Sequence, residues 1–151
     1  MEIYMSKYFT ISEFIKSDTA IKKKIWNGAS REVEDNLIAL VGAVLDPLRL
    51  FYGKPIHISS GYRNKEVNKA VGGVWNSQHL KGEAADIDTG SKLENQRIAR
   101  MIVELKLPFD QLIDEAGYAW VHVSYKRVGD NRGQILRMKN GKYQVIKPSE
   151  L

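Results

Sequence analysis

The stretch "SREVEDNLIALVGAVLDPLRLFYG", residues 30–53, constrains this chain more than any other. Val33, Leu37, Leu40, Val41, Val44, Leu45 and Leu48 recur near the 3.6-residue period, so they fall on one face of a helix. A stripe so apolar must be covered by a second layer of structure. Ser30 is placed to cap the start, and Gly53 with Pro55 to stop the end. Pro47 has no N–H, and should kink this helix or open a new turn after Asp46.

Short alternating segments supply the covering layer. "PIHIS" (55–59), "AADID" (84–88), "FDQLID" (109–114) and "AWVHVSY" (119–125) read as strands, the last two separated by "EAGY". "GQILRMKNGKYQVIKP" reads as a terminal hairpin turning at Asn140-Gly141. Shorter helices are expected elsewhere. "TISE" has the form of a capping box with Thr10 and Glu13, and "SDTAIKKKIWNG" suggests a helix ending near Gly28. "NKEVNKAVGG" is closed by glycine, and "SKLENQRIARMIVELKLP" should be helical over about 91–106, with Leu93, Ile98, Met101, Ile102 and Leu105 inward. Helices first and mostly antiparallel strands afterwards predict one α+β domain over 1–151. Its small sheet would pack against the N-terminal helices.

Strand parity gives this sheet two unlike faces. In "WVHVSY", Val121 and Val123 point one way, and Trp120, His122 and Ser124 the other. In "AADID", Ala85 and Ile87 share one face, and Asp86 and Asp88 the opposite one. If these strands pair, the loop carrying His79 can fold over a polar front, and His79, Asp86 and His122 converge on the sheet. With no cysteine in the chain, any metal must be held by His, Asp or Glu. Two imidazoles, one carboxylate and an open position are what catalytic zinc requires. Such an ion activates water and polarises a carbonyl, and a nearby carboxylate must move the proton. Glu115 is placed for that, whereas Asp114 would face the other way. A single histidine on a strand is more often structural or simply exposed, so spacing alone leaves the metal reading open without deciding it. His57, between Ile56 and Ile58 with no acid close behind it, is read as structural.

"SQHLKGEAADI" resembles the Ser-x-His-x-x-Gly-x-Ala-x-Asp signature of the zinc D-alanyl-D-alanine carboxypeptidases and L-alanyl-D-glutamate endopeptidases. It matches at Ser77, His79, Gly82, Ala84 and Asp86. "SGYR" (60–63) is similar to that family's arginine motif, and "WVHVSY" to its second histidine motif. "FTISEF" and "DPLR" resemble segments of the branch that holds many phage and bacterial wall hydrolases, so the likeness runs from about residue 8 to 125. The resemblance implies one zinc ion on His79, Asp86 and His122, with Glu115 as general base. It also implies Arg63 on a substrate carboxylate or the developing oxyanion, and Ser77 as a substrate contact. The substrate implied is the peptide stem of peptidoglycan. Glu115 stands farther from the second histidine than in many relatives, because "AGYA" adds length.

Other residues are weighed beside these. Asp88 could orient a ligand or simply be solvated. Trp120 and Trp75 flank the motifs and could line a groove, although packing beneath the site is the favoured reading of Trp75. Gly82 lets the chain turn between His79 and Asp86. The Lys22–Lys24 run reads as a solvated helix face. A charge of +5 favours an anionic partner such as the cell wall, and no basic helix interleaved with aromatics points to nucleic acid. No apolar run approaches a membrane span, and "MEIYMSKYFTISEF" carries no signal-peptide pattern. The expectation is a monomer made in the cytoplasm that reaches the wall after holin-mediated release, as a phage endolysin does. The alternative is a non-catalytic zinc-binding module of the same fold, such as a phage structural component.

Overall fold

The computed structural model describes residues 5–151; the first four residues of the segment read for a signal peptide lie outside them. The order is α1 (Ile11–Ile15), α2 (Asp18–Lys23), α3 (Arg31–Leu40), a wide turn (Val41–Leu45), α4 (Asp46–Tyr52), β1 (His57–Ser60) and α5 (Lys65–Ala70). A short 3₁₀ turn (Gln78–Lys81), β2 (Ala84–Asp88), α6 (Lys92–Glu104), β3 (Gln111–Glu115), β4 (Trp120–Ser124), β5 (Gln134–Lys139) and β6 (Lys142–Val145) follow. A last 3₁₀ turn, Pro148–Glu150, ends the chain. The strands form one sheet in the order β1-β2-β4-β3-β5-β6, antiparallel throughout except where β5 runs parallel to β3. The α+β expectation holds. Among the described residues no helix is long and apolar enough to cross a membrane.

The long apolar stripe behaves as its spacing requires. Ser30 accepts a hydrogen bond from the Val33 N–H, and Leu37, Leu40, Val44, Leu45 and Leu48 are fully buried. They share one core with Ala85, Ile87, Val121 and Val123 from the back of the sheet, and with Ile98 and Ile102 from α6. Each such side chain contributes on the order of 1.5–3 kcal/mol by leaving water. Pro47 does not break the helix. The turn ahead of it widens instead, and the Asp46 N–H reaches back five residues to the Val41 carbonyl. A proline ring collides with the carbonyl four residues earlier, here that of Ala43, and a widened turn relieves the collision.

Three expectations need correction. α2 stops at Lys23, with Lys24 left-handed, well short of Gly28. Leu93 is 75% exposed; the inward position on that turn of α6 belongs to Asn95, which is 1% exposed. The 3.6 period explains the exchange, since Asn95 stands three residues before Ile98 and Leu93 stands five before it. Asn95 then binds the Thr89 N–H, the Asp88 carboxylate and the Tyr118 carbonyl, tying α6 to the ends of two strands. Trp75 does not pack beneath the site, being 87% exposed on the loop before Ser77.

Two glycines allow close approaches that set the site. Gly61 follows β1 against the backbone of α1, where a Cβ would come within 2.5 Å of the Phe14 carbonyl oxygen. Gly82 ends the 3₁₀ turn at φ +72, and a Cβ there would lie 2.8 Å from both Cγ1 and the carbonyl oxygen of Val33. Strained conformation and a backbone clash then coincide, so Gly82→Ala should destabilise the fold by about 2–4 kcal/mol. Urea unfolding midpoints check this, and a midpoint equal to that of the parent protein would refute it.

Candidate metal centre

β2 and β4 pair with Asp86 directly opposite His122 and with Ala85 opposite Val123. Alternation therefore puts the apolar pairs on the core and the Asp–His pair on the front, as the sequence pattern implies. His79 reaches the same place from the 3₁₀ turn, which Ser77 caps by accepting from the His79 N–H. Asp86 Oδ1 lies 3.3 Å from His79 Nε2 and 3.2 Å from His122 Nδ1. Among the described residues these three could hold a metal ion, their donor atoms all within 4.8 Å of one another.

The ring hydrogens can be assigned from the partners. His79 Nδ1 lies 2.6 Å from the Gly61 carbonyl, which can only accept, so Nδ1 carries the hydrogen and Nε2 is bare in the neutral ring. His122 Nε2 lies 2.9 Å from Gln78 Oε1. The Gln78 amide is oriented by its other end, where Nε2 donates at 3.0 Å to the Asp110 carboxylate. Its oxygen therefore faces His122, whose Nε2 must donate, and His122 Nδ1 is the bare nitrogen. Asp110 is fully buried and also takes hydrogen bonds from the Arg132 backbone N–H, Nε and Nη2 at 2.9, 3.0 and 2.8 Å.

Two bare nitrogens and a carboxylate oxygen thus point at one another. Such a set is held together by protons on the rings or by one cation in their place. Two imidazolium rings with centroids 5.2 Å apart would repel each other in a buried site. A divalent cation satisfies all three lone pairs, so the donor set fits one. Burial pushes the Asp86 carboxyl up, but positive charge on the two imidazoles beside it, when they are protonated, outweighs that and holds it well below the usual carboxylate range.

The surroundings follow from register. β3 pairs with β4 so that Ile113 stands opposite His122 and Glu115 opposite Trp120. Glu115 and Trp120 therefore share the front with His122, although Glu115 and His122 are seven positions apart in sequence. The intervening turn, with Ala116, Gly117 and Tyr118 at positive φ, absorbs the extra length without shifting the pairing. Glu115 is buried, and its Oε1 accepts from the Tyr143 hydroxyl at 3.3 Å. Asp114 faces the back, as parity predicts, and binds Arg137 Nε at 2.8 Å and the Tyr118 N–H at 2.7 Å.

Arg63 enters from beyond β1. Its N–H donates to the His79 carbonyl, and its Nη2 donates to the Ser77 hydroxyl at 3.3 Å. Among the described residues its Nε has no partner, so the guanidinium retains donor capacity. Asp88 accepts from the Gly90 N–H and from Asn95, which makes it a turn and helix anchor. His57 is exposed on the edge strand and stands outside the donor trio. Gln78, Asp110 and Tyr143 were not assigned roles by sequence reasoning. Gln78 occupies the unspecified position of a motif, and the other two are brought near the site only by tertiary pairing.

Two imidazoles and a carboxylate, with a second carboxylate and a guanidinium alongside, make the kind of centre used by metal-dependent hydrolases. Comparison with known proteins agrees: residues 7–124 match the family described as Peptidase M15, and the chain belongs to that family. A stretch of 39 residues is 46% identical to the zinc D-Ala-D-Ala carboxypeptidase of Streptomyces albus G. That match covers 26% of this chain and 15% of the Streptomyces protein.

The orientation of Gln78 bears on metal affinity because it fixes which His122 nitrogen is bare. Gln78→Met keeps the length and removes the hydrogen bond. Zinc binding measured by competition with a chelating dye should weaken roughly 10–100-fold, and the metal-free protein should lose about 1–3 kcal/mol because buried Asp110 and His122 each lose a partner.

Proposed function

We propose that this chain is a zinc-dependent peptidase that hydrolyses an amide bond in the stem peptide of peptidoglycan. One observation carries the reading: the ring hydrogens of His79 and His122 are engaged by Gly61 and Gln78, which leaves Nε2, Nδ1 and Asp86 Oδ1 bare and convergent. A single zinc ion held by these residues would polarise a carbonyl and lower the pKa of a water molecule.

The remaining work falls to side chains. Glu115 takes a proton from the attacking water at a carboxylate oxygen and gives it to the departing amine nitrogen. Burial lifts its carboxyl above the ordinary range; His122 opposes that and the Asp86 charge adds to it. A raised value suits a base that must also act as an acid. Arg63 uses its free donors on a substrate carboxylate or on the oxygen that gains charge at the scissile carbonyl. Burial pulls its guanidinium below the ordinary value while Asp86 works against that shift, and the group remains a cation at neutral pH. Ser77 and Trp120 border the same front and contact the peptide. The formal charge of +5 supports approach to an anionic wall.

Purified peptidoglycan digested with the protein should release new stem-peptide fragments in mass spectra. A chelator should abolish them and zinc restore them; an unaltered muropeptide profile would sink the proposal. His79→Ala should lose the metal. Glu115→Gln should keep it and lose about 10²–10⁴-fold in turnover, the usual scale of general acid–base catalysis. The base must be ionised, so kcat/KM should fall tenfold per pH unit as pH drops through the raised pKa of Glu115. That acid limb should lie above the ordinary carboxylate range.

A further inference from the structure

Tyr143 lies on β6, the edge strand, beyond the segment that matches the family. All four residues of β6 are exposed, and Tyr143 itself is 57% exposed. Its phenol is nevertheless placed specifically. Glu115 pairs with Met138 across β3 and β5, and Met138 pairs with Tyr143 across β5 and β6. The three side chains therefore form a row across the front of the sheet, and the Tyr143 hydroxyl spans Met138 to donate to Glu115 Oε1 at 3.3 Å. Among the described residues, Tyr143 is the donor that holds this carboxylate.

The turn ahead of Tyr143 explains why it faces forward. Asn140 and Gly141 have φ of 53 and 74, the left-handed pair that a two-residue hairpin demands. They set Lys139 opposite Lys142 and Met138 opposite Tyr143. A slip of one residue would carry the phenol to the other face.

We propose that Tyr143 is a positioning residue for the hydrolysis assigned above, a step that rests on that assignment. The terminal torsion of a glutamate is broad, so an unrestrained carboxylate rotates over a wide range. A hydrogen bond from a neutral phenol to one oxygen narrows that range and leaves Oε2 to exchange the proton with water and amine. The role needs the hydroxyl, because phenylalanine keeps the apolar cover over Met138 and lacks only the donor.

The test is Tyr143→Phe, assayed on purified peptidoglycan alone and in the Glu115→Gln background. With the parent Glu115, kcat should fall about tenfold, since slight misplacement of a catalytic group is costly, while KM stays within twofold. Zinc affinity and melting temperature should be unchanged. With Gln at 115 the same substitution should cost nothing further, because the group it positions is already disabled. Full activity of the Phe variant, or an equal loss in both backgrounds, overturns the inference and leaves the peptidase assignment standing. Absence of zinc-dependent turnover in the parent protein overturns both.

Discussion

The pairing of Asp86 with His122 across β2 and β4 is the contact on which the rest depends. One hydrogen-bonded register puts these two side chains on the front and sets Ala85 against Val123 and Ile87 against Val121 on the back. Stability and chemistry are thus specified by the same alternation. A slip of one residue would bury the carboxylate and imidazole in the core and expose the valines, so the core enforces the register that the site needs. The long α3–α4 stripe serves the site indirectly, as the apolar surface that holds the back of the sheet in place.

From that pair the site grows outward through hydrogen bonds that leave each group little freedom. The Gly61 carbonyl engages one ring, and its position depends on the close approach of Gly61 to α1. Gln78 engages the other and is itself oriented by Asp110 and Arg132. A buried carboxylate can only accept, so the direction of this chain is fixed from the Arg132 end. The ring nitrogens left bare are opposite in kind, Nε2 on one histidine and Nδ1 on the other. A donor set built this way is ready before an ion arrives, which lowers the ordering cost of binding it.

Much of this was legible in the residues, for identifiable reasons. Periods of 3.6 and 2 are local properties, so the buried face of residues 33–48 and the two faces of "AADID" and "WVHVSY" could be read directly. Turn chemistry at Asn140-Gly141 was equally local. What escaped reading was set by tertiary context. Leu93 gave up its expected place because a buried asparagine could satisfy several groups at the strand ends, a gain that no hydrophobic pattern records. Trp75 is exposed because its loop lies outside the core, despite the general tendency of tryptophan to be buried. Gln78, Asp110 and Tyr143 gain meaning only once strands distant in sequence are adjacent.

The last third of the chain shows how such adjacency is secured. Among the described strands β3 and β5 are the one parallel pair, and residues 125–133 must carry the chain across the end of β3 to start β5. Two buried carboxylates flank this junction. Asp110, just before β3, binds Arg132, and Asp114 binds Arg137, which stands directly opposite it in the parallel register. The arginines are 49% and 31% exposed, so each pair contributes little net stability, but a buried carboxylate that loses its partner is left unsatisfied at a cost. They penalise wrong alignments more than they reward the right one. A shift of β5 along β3 would strand both carboxylates in the interior, so the pairs act chiefly on register. That register then puts Met138 beside Glu115 and Tyr143 beside Met138, and so carries a hydroxyl from the far edge of the sheet to the carboxylate on the same front as His122.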